Sequence, residues 1–204
     1  MNYVCILDYG SGNVKSVFNL FSGLSQKIVI SNDSVDIEKA THIILPGVGA
    51  FGAAMRKIKE NIPIDDLKRA VIHKRTPFLG ICVGMQILAT SGTEFGVYPG
   101  LGWVDGVVEK IDTANLPTLH IGWNAVRCMR ASPLLQGLED NPDFYFVHSY
   151  AVRPVNEHHT VATTNYGHDF CSIFQHDNIY GVQFHPEKSQ RAGIKLAKNF
   201  LALK

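Results

Sequence analysis

The chain has 204 residues, 46% of them hydrophobic, and a formal net charge of +1, which suits one domain with a sizeable core. Lysine and arginine are scattered rather than gathered in a stripe, so no nucleic-acid surface is expected. No apolar run approaches membrane-spanning length.

Residues 3–8 read as an apolar strand ending in an acid, without the basic stretch and cleavage site of a secretion signal, so a cytoplasmic protein is expected. Gly10-Ser11-Gly12 is a turn, and Val14, Val17, Phe18, Phe21 and Leu24 mark one face of a helix. A short strand follows at 27–30, a short helix or loop at 33–40, and a strand at 42–45 capped by a Pro-Gly loop. Residues 51–59 and 64–73 read as helices, 77–81 as a strand, and a further helix begins over 85–89. This alternation predicts an α/β fold with a mostly parallel central sheet and helices on both faces. From Trp103 the pattern changes to strand-like runs at 107–111, 125–129, 144–152, 161–165, 171–175 and 179–184, separated by turn residues. These predict antiparallel strands that extend or flank the sheet. A helix over 190–203, with Ile194, Ala197, Phe200 and Leu201 inward, completes one domain spanning residues 1–204.

Of the four cysteines, Cys5 and Cys171 sit in apolar strand patterns and read as inert core residues, and Cys128 is also strand-like. His158 and His159 fall in a polar stretch and read as a solvated loop. No ligand set has zinc-like spacing, so neither a metal nor another cofactor is expected.

The apolar strand at 77–81 runs into Gly80-Ile81-Cys82-Val83-Gly84 and then a helical pattern. That is the layout of a nucleophile elbow with cysteine at its tip. Flanking glycines permit the sharp turn, and a helix N-terminus favours a thiolate. The Val83 N–H, just after the nucleophile, is one oxyanion donor by elbow geometry. About a hundred residues on, a strand ends in His185-Pro186-Glu187. Residues two apart in extended chain point the same way, so Glu187 can orient the His185 ring and steady its imidazolium. A Cys82-His185-Glu187 triad follows. A rival reading is a dinucleotide site, since Gly47, Gly49 and Gly52 match G-x-G-x-x-G. Against it, the fingerprint belongs in a first βα turn, whereas this one follows a later strand and begins with Pro46.

Gly80-Ile81-Cys82-Val83-Gly84-Met85-Gln86 together with Gln183-Phe184-His185-Pro186-Glu187 closely resembles the class I, or triad, glutamine amidotransferases. Asp8-Tyr9-Gly10-Ser11-Gly12-Asn13, Pro46-Gly47-Val48-Gly49, His120-Ile121-Gly122-Trp123-Asn124 and Val147-His148-Ser149-Tyr150 narrow it to the glutaminase subunits of imidazole glycerol phosphate synthases. The resemblance implies hydrolysis of glutamine to glutamate and ammonia through a γ-glutamyl thioester on Cys82. It implies a second oxyanion donor at Val48 or Gly49, and glutamine recognition by Gln86, Glu94 and the backbone of Ser149 and Tyr150. It also implies a (β/α)₈-barrel cyclase partner that receives the ammonia in histidine biosynthesis. That partner makes imidazole glycerol phosphate and aminoimidazole-carboxamide ribotide. Asn13, Arg56, Trp123, Asn124, Tyr145 and Lys188 are the interface candidates. Two alternatives stand beside it: a glutaminase subunit supplying ammonia for amidation of a bacterial surface sugar, and an inactive binding subunit, against which the intact triad speaks.

Overall fold

The computed structural model describes residues 2–25 and 27–204. Its main sheet holds eight strands: β1 (Tyr3–Ile6), β2 (Lys27–Ile30), β3 (His42–Gly47), β4 (Phe78–Cys82), β9 (Arg127–Cys128), β12 (Thr160–Tyr166), β13 (His168–His176) and β14 (Ile179–Val182). They lie in the order β2-β1-β3-β4-β14-β13-β12-β9. The five strands from β2 to β14 run parallel, and β13, β12 and β9 continue the sheet antiparallel. This is the α/β architecture expected. β3, β4 and β14 are buried at every residue, as parallel strands covered on both faces must be.

The covering helices are α1 (Val14–Ser22), α2 (Ser34–Lys39), α3 (Phe51–Asn61), α4 (Ile64–Lys68), α5 (Val83–Gln86) and α6 (Gln190–Leu201). Phe21 of α1 meets Phe200 of α6 edge to face at 6.3 Å. The helix expected over 64–73 is α-helical only to Lys68 and widens to a π-turn over Arg69–His73. In α6 the inward stripe is Gly193, Leu196, Ala197, Phe200 and Leu201. Ile194, expected inward, lies one step off that i, i+3, i+4, i+7 stripe and is exposed.

Two smaller sheets complete the fold. One joins β5 (Ala89–Gly92), β6 (Tyr98–Pro99), β7 (Val104–Lys110) and β11 (Tyr150–Pro154); the other pairs β8 (His120–Ala125) with β10 (Asp143–His148). The helix expected to begin over 85–89 is instead the single turn α5, starting at Val83. Its continuation is captured by pairing: Leu101 N donates to Ile87 O and Trp103 N to Leu88 O. The run at 144–152 is not one strand. It breaks at Ser149, whose carbonyl turns to accept Ile111 N, so that β10 and β11 serve different sheets. The run at 125–129 begins earlier, at His120, and breaks after Ala125. Among the described residues, no helix is long and apolar enough to cross a membrane.

Candidate active site

Cys82 closes β4 and starts α5 with φ 53° and ψ −112°, a left-handed conformation that strains any residue with a side chain. The strain therefore sits on the candidate nucleophile itself. The flanking glycines serve close approach rather than unusual dihedrals. A Cβ on Gly84 would lie 1.9 Å from the Leu45 carbonyl oxygen, and one on Gly80 would lie 2.5 Å from Gly84 O. The sulfur is almost wholly buried, 3.7 Å from Gln183 Nε2 and 4.0 Å from the Val147 carbonyl.

β14 lies beside β4 in parallel register, with Val182 opposite Ile81, so the chain leaving β14 emerges at the same end of the sheet as Cys82. His185 and Glu187 do meet, but not along a strand as expected. β14 ends at Val182, and Pro186–Lys188 form a 3₁₀ turn that folds the carboxylate back. His185 Nδ1 donates to Glu187 Oε1 at 2.8 Å, with the two side chains 3% and 0% exposed. His185 N–H bonds Tyr145 O at 2.9 Å, and Ser189 Oγ donates to His185 O at 2.7 Å, which pins the loop. Among the described residues Nε2 is left buried without a hydrogen bond, as the ring nitrogen not committed to Glu187. Burial alone would lower the His185 pKa. The Cys82 sulfur and the Glu187 carboxylate outweigh it and raise it to about 10. The ring thus holds its proton at neutral pH.

Asn13, an interface candidate, also reaches inward. Its Nδ2 donates to the same Glu187 Oε1 at 3.1 Å. Sequence reasoning missed this role, because the two residues stand 174 positions apart. It equally missed Gln183, which bridges Gln86 to the sulfur.

Of the oxyanion candidates, Val83 opens α5. In the β3–β4 register Gly47 faces Cys82, with Val48 and Gly49 just beyond. Gly49 adopts φ +94°, a region that favours glycine, and the Val48 side chain is 41% exposed. Glu94 Oε2 accepts the Phe51 N–H at 2.9 Å, capping α3. A carboxylate thus occupies the helix start where a diphosphate would have to bind, which argues against the dinucleotide reading. Gln86 is buried, and its Nε2 donates to Tyr150 O at 2.7 Å and to Gln183 Oε1 at 3.1 Å. Ser149 and Tyr150 lie at the β10–β11 break, half-buried.

Tyr150 O also fixes a chain of buried tautomers. It accepts His148 Nδ1–H at 3.0 Å, which leaves His148 Nε2 to accept His120 Nδ1–H at 3.1 Å. His120 Nε2 then accepts Asn124 Nδ2 at 3.2 Å. Both rings are neutral, since burial pushes His148 down to about 3 and His120 down to about 4. Asn124 also donates to Asn165 O and accepts the Ala125 N–H, so its amide is hydrogen-bonded within the chain. The other interface candidates fall differently. Trp123 is 49% exposed and packs edge to face on Tyr145, and Lys188 Nζ stands 5.3 Å from the Tyr145 ring centroid. These three form one exposed aromatic and basic patch. Arg56 is exposed on α3, apart from that group in sequence and element.

A cavity of about 550 Å³ lined by Lys110, Arg153, His168 and Cys171, among others, touches none of the triad positions. Among the described residues, no three histidine, cysteine or acidic side chains are gathered so as to hold a metal ion. Cys128 is exposed, and His159 stacks on His176 with ring centroids 4.5 Å apart.

The family model for glutamine amidotransferase class-I matches residues 5–203. Imidazole glycerol phosphate synthase subunit HisH 1 of Campylobacter jejuni strain RM1221 is 42% identical, over 98% of this chain and all of its own. Imidazole glycerol phosphate synthase subunit HisH of Bdellovibrio bacteriovorus is 44% identical, over 96% of this chain and 97% of its own. A putative GMP synthase subunit from Thermoplasma acidophilum superposes with a TM-score of 0.72 at 22% identity, covering 98% of this chain and 92% of its own. PurLQS from Thermotoga maritima gives 0.73 at 16%, covering 98% of both. At such identities these two structures bear on the fold alone.

Proposed function

The chain belongs to the class-I glutamine amidotransferases, and from that premise we propose that it is the glutaminase subunit of an imidazole glycerol phosphate synthase, acting in histidine biosynthesis as one domain of residues 1–204. The observation that carries the chemistry is the buried His185–Glu187 couple at the sheet end that presents Cys82. The full-length likeness to HisH chains supports the pathway.

In this reading Cys82 Sγ attacks the side-chain amide carbon of glutamine. The developing oxyanion receives the Val83 N–H and an N–H from Val48 or Gly49. His185, which holds its proton at neutral pH, gives it to the leaving nitrogen, the C–N bond breaks and ammonia departs. The γ-glutamyl thioester is then attacked by water, whose proton His185 takes, and glutamate leaves. Glu187, steadied by Asn13, keeps Nδ1 protonated and Nε2 directed at the chemistry. Glutamine is held by the Gln86 and Tyr150 region, while Glu94 shapes the wall by capping α3.

The partner is a (β/α)₈-barrel cyclase that docks on the Trp123–Tyr145–Lys188 patch and takes up the ammonia. A cytoplasmic location goes with this reading, where free thiols stay reduced. The test compares glutamate release by the complex, with the barrel's nucleotide bound, against release by the lone subunit. The lone subunit should be nearly idle. Docking should raise kcat by roughly a hundredfold or more, the worth of one recovered oxyanion donor. Equal rates would overturn the gating. Brisk glutamine hydrolysis in a complex that makes no imidazole glycerol phosphate would point instead to a surface-sugar acceptor.

A further inference from the structure

Tyr9 follows β1 and is 1% exposed, yet its hydroxyl makes no hydrogen bond among the described residues. Buried hydroxyls are normally paired, so an orphan asks what it pairs with in another state. Its position is specific. A Cβ built on Gly47 would lie 2.8 Å from the Tyr9 hydroxyl, 2.5 Å from Gly84 N and 3.0 Å from Val83 C. The hydroxyl and the start of the elbow helix therefore both crowd the side-chain side of Gly47, at the end of β3. Its electrostatics agree. Burial raises the Tyr9 pKa most, charge on the Cys82 sulfur raises it further, and the Val48 N–H pulls it back down. The hydroxyl thus lies beside the Gly47 end of β3, which leads directly into Val48 and faces Cys82 in the sheet register.

Val48 stands between two glycines, and Gly49 already sits at φ +94°. Its peptide can rotate with little steric hindrance. A donor close to an acceptor, but not yet bonded to it, closes the bond by a small rotation. We propose that the Tyr9 hydroxyl is a positioning group for the oxyanion site: in the lone subunit a small rotation of the Val48 peptide, away from the arrangement seen here, lets the hydroxyl accept the Val48 N–H and so compete for it with the oxyanion of the tetrahedral intermediate. Partner docking then holds the peptide toward the substrate and keeps the hydroxyl unbonded, as it is in this structure. This rests on the reading above, with Val48 as the second oxyanion donor. Tyr9 touches no reacting atom and takes no proton.

Tyr9→Phe removes the oxygen and keeps the ring, so the packing survives. In the lone subunit kcat for glutamate release should rise roughly three- to tenfold, the worth of one neutral hydrogen bond, with KM unchanged. Stimulation by the partner should shrink by the same factor, and exchange of the Val48 amide proton should quicken. A lone-subunit rate that stays level overturns the competition. One that falls overturns it too, since the hydroxyl would then be assisting the reaction. A second measurement needs no variant: with tyrosine ring carbons labelled, the Tyr9 Cζ resonance should move when a glutamine-like aldehyde adds to Cys82, and a resonance that stays put refutes the proposal. Wild-type complex assayed in parallel separates the two failures. If it releases no glutamate from glutamine, or if Cys82→Ala releases as much, the glutaminase reading falls. If it behaves as a Cys82-dependent glutaminase and Tyr9→Phe does not accelerate the lone subunit, only the Tyr9 role falls.

Discussion

Glu187→Gln separates charge from shape at the candidate triad. Glu187 Oε1 accepts both His185 Nδ1–H at 2.8 Å and Asn13 Nδ2 at 3.1 Å, and glutamine can keep an oxygen there. The tautomer and ring orientation therefore persist, and only the negative charge goes. In a site this dry a charge-assisted bond exceeds a neutral one by about 1–2 kcal/mol. Coulomb attraction to the imidazolium adds on the order of 1 kcal/mol after screening. A net loss of about 2–3 kcal/mol in the transition state lowers kcat roughly 30- to 150-fold. His185→Ala, which removes proton transfer altogether, should lose more. Glu187→Gln should also leave its own mark on the pH profile. The carboxylate helps to hold His185 up at about 10, so the variant's ring gives up its proton at lower pH. The alkaline limb of glutamate release should move toward neutrality. The assay is glutamate release by the complex from pH 6 to pH 10 (an assay range), with ammonia-dependent synthesis as the control for assembly. A variant profile that superposes on wild type would show that the carboxylate only supports the turn, and the charge argument would be wrong.

Cys82→Ala should abolish glutamine-dependent turnover and leave ammonia-dependent synthesis by the complex intact. A glutamine-like electrophile should label Cys82 and spare Cys5 and Cys171, which are buried and pushed up to about 12 by that burial. The exposed Cys128 should react with a general thiol reagent but not with the glutamine analogue, as peptide mapping would show. Gly84→Ala forces a methyl to within 1.9 Å of a β3 carbonyl unless the backbone shifts, so a loss of about 4 kcal/mol or more is expected, read as a melting point lower by roughly 10 °C; an unchanged melting curve would refute the close-approach account. Stability should depend on pH in two windows. His148 and His120 refuse protons that the unfolded chain accepts below about pH 6.5, so stability falls from there toward about pH 4 and 3. His185 acts in the opposite sense: its contribution is complete below about 6.5 and is lost as the pH rises through about 10. Urea midpoints at pH 5, 7 and 10 (assay conditions) should therefore peak in the middle.

The elements legible in the sequence are those whose burial is written in their own residues. β3 and β4 are apolar at nearly every position because both faces are covered, and Val14, Val17 and Phe21 give α1 its stripe. β8 was hidden for the converse reason. Its large apolar residues, Ile121 and Trp123, point outward, while its one fully buried position is His120. β5 and β6 are short and built from alanine, threonine, serine, glycine, tyrosine and proline, with no apolar alternation to follow. At the site, Cys82 and the His-Pro-Glu segment stood out because an elbow and a turn are local devices. The bonds that position them were invisible. Asn13 reaches Glu187, and Gln86 reaches Gln183, only after the sheet has brought distant segments together. Asn124 shows the same limit from the other side: an exposed-looking residue in a polar motif makes amide bonds inside the chain that the sequence did not display.

The placement of β14 between β4 and β13 also sets when this chain can become active during its manufacture. Gln183 and Cys82 are 101 residues apart, and the two are brought together only once β14 has slotted into the middle of the sheet. A ribosome that has released β4 has released a thiol with no proton donor beside it. With the proposed triad carrying the reaction, half-made chains cannot leak ammonia from glutamine, and hydrolytic power arrives in a single step with closure of the central sheet. Because β14 is flanked on both sides, it cannot fray away as an edge strand would. Amide protons of Ile179–Val182 should accordingly exchange among the slowest in the protein, and the candidate triad should come apart only when the whole sheet opens.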